Sequence, residues 1–205
     1  MIPVQKLWDG QTVVCIGGGP SLTAADVNAV RGVARVIAIN DAYRLAPWAD
    51  VLYAADSRWI EWHDGVPSFT GPKYSIESRD TTKRKGWAAL RNTGYLGLEI
   101  ERTGLRAGFN GGFQAINLAV HLGARRIVLL GYDMAPNPIG PSHWFGEHPI
   151  PSPSPYPQMR DAFDSLVEPL AAIGVEVVNC SRRTALTAFT CATLESELAR
   201  LVVAA

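Results

Sequence analysis

Few charged residues, few cysteines and no long hydrophobic run characterise this sequence. Charged residues make up 19% of its 205 residues, and 19 basic and 19 acidic side chains leave a formal net charge of zero. General nucleic-acid binders are normally basic, so this balance disfavours such a partner, although Arg79 with Lys83, Arg84 and Lys85 leaves a local basic site open. The 47% of hydrophobic residues is typical of a folded domain and excludes disorder over most of the chain.

Cysteine is too sparse for a disulfide framework or a zinc site. Cys15, Cys180 and Cys191 are odd in number and have no metal-ligand spacing, and Cys15 and Cys180 lie in apolar runs that predict burial. Apolar runs such as 127–130 are far shorter than the roughly 20 residues of a membrane helix. Residues 1–11 contain no apolar signal-peptide core. We therefore expect a cytoplasmic protein without a membrane span.

Short aliphatic runs alternate with helical patterns along the chain. We predict strands at residues 12–16, 35–39, 51–54, 126–130 and 175–178. Helices are predicted at residues 22–30, 112–122, 156–173 and 194–203. The strands are apolar without clean alternation, which suits a parallel sheet covered on both faces. The sequence thus predicts one α/β domain over residues 1–205, Rossmann-like and doubly wound, with a mainly parallel sheet and helices on both faces.

Two segments interrupt this alternation. Residues 57–95 are rich in Trp, Gly, Lys and Arg, and their weak periodicity predicts an irregular insertion. Its tryptophans, Trp59, Trp62 and Trp87, are expected to be exposed and available for a homo-oligomer interface or a substrate platform. Residues 135–157 contain eight prolines, which exclude a regular helix or a central strand. We expect this proline-rich loop to be a lid over a ligand site.

A glycine-rich turn follows the first predicted strand, with the sequence Gly17-Gly18-Gly19-Pro20-Ser21. Its glycines allow a tight turn and a close backbone approach to a ligand. Ser21 is expected to cap the following helix, whose amino-terminal end attracts phosphate. The turn matches neither a Walker loop nor the dinucleotide-binding fingerprint. We predict a nucleotide phosphate site here, and an ordinary strand-to-helix turn is the alternative.

Polar residues follow the next two predicted strands. Asn40 and Asp41 follow the second strand, and Asp56 follows the third. Ligands of open parallel sheets bind at the carboxyl ends of the strands, so Asn40 and Asp41 are expected to bind a ribose, a base or a substrate hydroxyl. Asp56 is a candidate for a metal, a substrate amine or a hydroxyl. The alternatives are a turn or cap for Asn40 and Asp41, and a salt bridge with Arg58 for Asp56.

A second glycine motif opens the helix predicted at 112–122. Asn110 is expected to cap this helix, and Gly111 and Gly112 allow a ligand to approach its amino-terminal end. The helix leads into the strand at 126–130, which is followed by Asp133. These four residues are further candidates for nucleotide binding.

Two histidines lie in the proline-rich loop. His143 and His148 are five residues apart, with Glu147 between them. This spacing does not match the helical zinc pattern. A general base carried on a lid is the functional prediction, and solvent-exposed histidines are the alternative.

The order of these motifs resembles two related families. Gly-Gly-Gly-Pro-Ser-Leu, Ile-Asn-Asp-Ala-Tyr, Ala-Asp-Ser and Leu-Gly-Ala-Arg-Arg-Ile-Val-Leu-Leu-Gly-Tyr-Asp-Met, followed by a His-containing loop, are similar to bacterial sialyltransferases of glycosyltransferase family 42 and to archaeal MptE-like 6-hydroxymethylpterin diphosphokinases. The resemblance covers roughly residues 12–60 and 108–190. It implies a Rossmann-like nucleotide-dependent enzyme.

The sialyltransferase resemblance implies a CMP-type nucleotide-sugar donor. Gly18, Gly19, Pro20 and Ser21 match that family's phosphate turn. Asn40 matches its residue near the nucleotide and donor sugar. His148 corresponds to the proposed general base, although Glu147 adds one residue to the His-Tyr-x-Gly-His spacing.

The diphosphokinase resemblance instead places Asp56 and Asp133 near Mg²⁺ and the phosphates of ATP. The chain does not show that family's long flanking regions, and it has the histidine-containing loop. We therefore expect a glycosyltransferase-like transferase acting on a small-molecule nucleotide donor, with the acceptor open. A diphosphokinase and a non-catalytic nucleotide or metabolite binder are the alternatives. The small size suits a phage-encoded or accessory bacterial enzyme.

Overall fold

Nine strands form one parallel sheet within the part of the chain that the structure describes. The computed structural model describes residues 2–77, 86–150 and 153–203. The strands are β1 (Thr12–Ile16), β2 (Arg35–Ile39), β3 (Val51–Tyr53), β4 (Lys73–Ile76), β5 (Trp87–Asn92), β6 (Gly104–Leu105), β7 (Arg126–Leu130), β8 (Glu176–Asn179) and β9 (Thr190–Cys191). Their order is β6-β5-β4-β3-β2-β1-β7-β8-β9, and neighbouring strands pair in parallel. The predicted fold class is confirmed.

Five α-helices and one 3-10 helix connect the strands in the described segments. They are α1 (Ala24–Ala29), the 3-10 helix (Asn40–Arg44), α2 (Ser57–Trp62), α3 (Gly111–Leu122), α4 (Tyr156–Ala172) and α5 (Leu194–Val203). Helix α3 ends at Gly123, whose φ of 105° requires a residue without a side chain. The four helices predicted from the sequence are observed to within two residues at each end.

Helices cover both faces of the sheet because successive strand residues point to opposite sides. Val13 and Cys15 belong to a core beneath α3 and α4, to which Phe113 and Phe163 contribute. The other face carries a second core that includes Val27 of α1. Both Cys15 and Cys180 are buried, as the sequence predicts, and burial raises the pKa of the Cys15 thiol to about 12.

The segment predicted as an irregular insertion contains α2, β4 and β5, so that prediction is wrong for its described part. Two of its tryptophans are also not exposed: Trp59 is 1% and Trp87 is 8% accessible, whereas Trp62 is partly exposed. The Trp59 indole N–H donates to Asp41 at 2.7 Å, and that of Trp87 to the Gly65 carbonyl at 3.1 Å. Because each polar N–H has a partner, the rings can be buried.

The basic residues Arg79, Lys83, Arg84 and Lys85 lie outside the described residues. No helix in the described ranges is both long and apolar enough to cross a membrane.

The order of the strands reverses at β1. From β1 the chain builds the sheet outward through β2 to β6, and it then returns to the other side of β1 with β7. Connections leave β1 and β7 towards opposite edges, so a crevice opens between the carboxyl ends of these two strands. This is the position at which doubly wound proteins bind their ligands.

Candidate functional site

A cleft of about 250 Å³ occupies the switch point of the sheet. Its walls are the turn after β1, the residue after β2, the start of α3, the segment after β7 and the proline-rich loop. Eleven of the residues predicted from the sequence line it: Gly17, Gly18, Gly19, Pro20, Asn40, Asn110, Gly111, Gly112, Asp133, His143 and His148.

Asp133 joins the glycine turn to the end of β7. Its carboxylate accepts hydrogen bonds from the Ser21 N–H at 3.0 Å and from the Ser21 hydroxyl at 2.8 Å. The Gly19 N–H donates to the Gly131 carbonyl at 2.8 Å, which draws the two segments together. Asp133 is 2% accessible, and this burial raises its pKa, while the hydrogen bonds from Ser21 oppose the rise. Asp133 therefore fixes the shape of the cleft floor.

The prediction that Ser21 caps α1 is wrong. Thr23, not Ser21, caps this helix: its hydroxyl accepts from the Asp26 N–H at 3.2 Å, and the Asp26 carboxylate accepts from the Thr23 N–H at 3.1 Å. This reciprocal arrangement is a capping box, and it leaves Ser21 free to bond Asp133. Ser21 lies beneath the turn and does not line the cleft.

We expect Asp133→Ala to destabilise the protein by roughly 2–4 kcal/mol, because the partly buried Ser21 N–H and hydroxyl both lose a charged acceptor. Asp133→Asn keeps one acceptor oxygen and should cost less. Chemical denaturation of both variants measures the effect, with Asp164→Ala on the exposed side of α4 as the control. If Asp133→Ala unfolds at the same denaturant concentration as the control, Asp133 does not fix the turn.

The amino-terminal end of α3 forms another wall of the cleft. The Asn110 side chain accepts a hydrogen bond from the Phe113 N–H at 2.9 Å and so caps the helix, as predicted. The N–H groups of Gly111 and Gly112 belong to the first turn, which has no intrahelical acceptors for them. A Cβ on Gly112 would lie 2.7 Å from the Tyr132 ring, so only glycine permits this close packing. The wall therefore presents backbone N–H groups at the positive end of a 12-residue helix.

Unusual backbone conformations concentrate around the cleft. Asn40, Phe109 and Met134 have φ values of 50°, 62° and 48°, and all three line it. Residues other than glycine adopt this left-handed region at an energetic cost, and such residues cluster at functional sites. The Asn40 Oδ1 atom is buried and has no hydrogen-bond partner among the described residues. It is therefore available to a ligand donor.

The proline-rich loop lies over the glycine turn and ends where α4 begins at Tyr156. The backbone N–H of Trp144 donates to the Gly18 carbonyl at 3.3 Å, and the Arg44 guanidinium lies 5.7 Å from the centre of the Trp144 ring. The imidazole of His143 stacks on the Phe145 ring with ring centres 4.8 Å apart. The centre of the His148 ring also lies 4.8 Å from that of His143. The loop thus brings both predicted histidines to the cleft.

Burial lowers the pKa of His143, and the neighbouring His148 lowers it further. A lowered pKa favours the uncharged imidazole at neutral pH, which can accept a proton. The carboxylate of Glu147 accepts from the Ser142 N–H at 2.6 Å, and hydrogen bonding to Ser142 lowers its pKa. Glu147 consequently carries negative charge beside the histidines at neutral pH.

Besides Ser21, two further predicted site residues do not line this cleft. Asp41 is 3% accessible and accepts from the Trp59 indole, with Arg44 and His63 each 3.3 Å away. Asp56 caps α2 by accepting from the Arg58 N–H at 2.9 Å and forms an ion pair with the Arg58 guanidinium at 3.2 Å. The structure therefore does not bring Asp41 or Asp56 to the glycine turn.

A metal site is not assembled by the described side chains. They contain no group of three or more His, Cys, Asp or Glu residues that could hold a metal ion. Both oxygens of Asp133 already accept hydrogen bonds from Ser21, and Asp56 is paired with Arg58.

Sequence reasoning missed the apolar part of the cleft. Phe109, Met134, Phe145 and Met159 contribute to its lining. Phe109, Met134 and Phe145 lie close in sequence to Asn110, Asp133 and the two histidines. An apolar side chain at such a position does not by itself indicate a binding site. Only the fold shows which of them face a ligand and which enter the core.

The fold and cleft define a Rossmann-like α/β protein with a cleft at the switch point of its parallel sheet. No protein-family model matches the chain, and no curated protein is significantly similar in sequence. Among solved structures, the chain is similar to the MAf glycosyltransferase from Magnetospirillum magneticum AMB-1, with a TM-score of 0.60 and 16% sequence identity. The match covers 98% of this chain but 39% of that one, so the likeness shows a shared fold over part of a larger protein.

Proposed function

We propose that the protein is a nucleotide-dependent transferase of the glycosyltransferase type, with a nucleotide sugar as donor. The observation that carries this proposal is one cleft that combines the glycine turn, the amino-terminal end of α3 and two imidazoles. The fold shared with a glycosyltransferase supports it. The donor class, CMP-type, follows from the resemblance of the glycine turn and the histidine loop to family 42.

Backbone groups would bind the donor phosphates. Neither lysine nor arginine lines the described part of the cleft, whereas the glycine turn and the first turn of α3 supply N–H groups. Helix amino-terminal ends and turns of this kind bind anions without a cationic side chain. The free Oδ1 of Asn40 would accept a hydrogen bond from a hydroxyl or amino group of the donor.

His148 would act as the general base. The acceptor oxygen attacks the anomeric carbon of the donor sugar, and the bond from that carbon to the nucleotide phosphate oxygen breaks. The bonding electron pair leaves with the phosphate, and the acceptor proton passes to the His148 imidazole. The proline-rich loop would exclude water and so limit hydrolysis of the donor.

A nucleotide panel tests this proposal. CMP, UMP, GDP, ATP and their common sugar conjugates are added at millimolar concentration, with and without Mg²⁺, and the melting temperature is measured. A nucleotide at a hundred times its Kd stabilises the folded state by about 2.7 kcal/mol, which corresponds to roughly 5–10 °C for a chain of this size. If no nucleotide raises the melting temperature, the donor site is absent. Stabilisation by Mg-ATP alone, with release of AMP, would instead identify a diphosphokinase.

A further inference from the structure

Arg44 connects the 3-10 helix after β2 to the proline-rich loop. It is the last residue of that helix, and its guanidinium donates to the Asp41 carboxylate at 3.3 Å. The same guanidinium lies 5.7 Å from the centre of the Trp144 ring, within the range of a cation–π contact. A planar guanidinium can pair with a carboxylate and stack on a ring at the same time. Arg44 thus links a helix that continues from the sheet to the loop that carries the two histidines.

Asp41 is the fixed end of this link. One oxygen of its buried carboxylate accepts the indole N–H of Trp59, itself a buried residue, at 2.7 Å. The other oxygen faces Arg44 and a ring nitrogen of His63, each at 3.3 Å. A buried carboxylate is stable only when it keeps such partners, so its position is closely defined. This gives a structural role to a predicted site residue that does not line the cleft.

Trp144 is the loop end of the link. Its backbone N–H donates to the Gly18 carbonyl at 3.3 Å, and its ring packs against the core that includes α1. The preceding residue, His143, forms a tight turn with Gly146, in which the backbone N–H of each residue donates to the carbonyl of the other, at 3.2 and 3.1 Å. Because this turn is short, a shift of the Trp144 ring would carry the His143 imidazole with it.

We infer that Arg44 is a positioning residue for the proline-rich loop. It does not line the cleft, so it acts through Trp144 and holds the turn of His143 and Gly146 against the glycine turn. With this link intact, the imidazole of His143 and the adjacent ring of His148 stay at the cleft. The effect of Arg44 on transfer rests on the proposed function, whereas its effect on the loop can be measured without any substrate.

Hydrogen exchange in Arg44→Ala and Arg31→Ala tests the inference. Arg31 is a matched control, because its guanidinium lies 5.6 Å from the centre of the Trp48 ring, in a groove beside the amino-terminal ends of β1 and β2. In the full chain without ligand, we expect Arg44→Ala to speed exchange of the Trp144 and Gly146 N–H groups by about tenfold, the size of one partly buried cation–π contact. Arg31→Ala should leave both rates unchanged, and Arg44→Lys should restore part of the protection.

NMR titration of the histidine rings gives a second measurement on the same variants. Burial lowers the pKa of His143, so a loosened loop should raise this pKa towards its ordinary value. Trp144→Ala keeps the charge of Arg44 and its pair with Asp41, and we expect the same rise in this variant. An equal rise in both variants separates displacement of the loop from loss of a charge.

Unchanged exchange and an unchanged His143 titration in Arg44→Ala would overturn the inference, as would equal changes in Arg31→Ala. With a nucleotide sugar that the natural protein binds, Arg44→Ala should lower kcat by about tenfold, and Arg44→Lys should recover part of it. A loosened loop in Arg44→Ala, without nucleotide binding by the natural protein, would support the inference and overturn the proposed function.

Discussion

Replacing Gly19 with alanine is expected to remove nucleotide binding and to destabilise the protein. A Cβ at this position would overlap the Asp133 carboxylate and would lie 2.7 Å from the Gly131 carbonyl oxygen. Neither group can move without breaking the hydrogen bonds that hold the turn to β7. Inserting a methyl group into such a packed site costs about 1–3 kcal/mol. Displacement of the turn should weaken nucleotide binding by about a hundredfold or more, the equivalent of losing two hydrogen bonds to a charged group.

Gly18→Ala is the matched control for this experiment. Its Cβ would lie 3.4 Å from the His143 ring and 3.6 Å from Phe145, both close to ordinary contact distances. We expect it to unfold within about 1 kcal/mol of the natural protein. Denaturation curves and nucleotide titrations of the two variants give the comparison. Equal stability and equal nucleotide affinity in Gly18→Ala and Gly19→Ala would show that the contact with Asp133 does not shape the site.

Replacing His148 with alanine is expected to reduce transfer by about 10²–10⁴-fold, the usual contribution of a general base. The loss should fall on kcat, because the imidazole acts on the acceptor proton and is not needed to hold the donor phosphates. Initial rates at saturating donor and acceptor measure the effect on kcat. A nucleotide titration checks the donor site.

His143→Ala separates the two histidines of the cleft. Its ring is stacked on Phe145 and lies beside the turn at Gly18, so we expect a smaller loss that includes weaker donor binding. Full activity in His148→Ala would remove this residue from the role of base. A pH–rate profile whose acidic limb disappears in His143→Ala would assign the base to His143, whose lowered pKa suits proton uptake at neutral pH.

The central strands and the position of the cleft could be predicted from the sequence for one physical reason. A strand covered on both faces has to be apolar, and the residues that follow such strands meet at one edge of a parallel sheet. Gly17, Asn40 and Asp133 were therefore predicted to be neighbours, although they are far apart in the chain. Strand β4, with the sequence Lys-Tyr-Ser-Ile, contains too few apolar residues to give this signal.

The errors arose where local geometry decides between adjacent residues. Asn40 and Asp41 are consecutive, but a left-handed backbone at Asn40 starts the 3-10 helix, with Asn40 at the cleft and the Asp41 carboxylate among α2 residues. Ser21 and Thr23 can both cap a helix, and Asp26, three residues after Thr23, selects the latter. These outcomes depend on single torsion angles and on tertiary partners, which composition and spacing do not encode.

The cleft wall built from backbone N–H groups has a consequence for the conditions under which the site would work. Dipoles attract an anion only at short range, whereas lysine and arginine side chains act over about a Debye length, which is about 8 Å at physiological ionic strength. Binding at such a wall would change little between dilute buffer and a buffer of physiological ionic strength. The wall itself would attract a long polyanion only at contact distance.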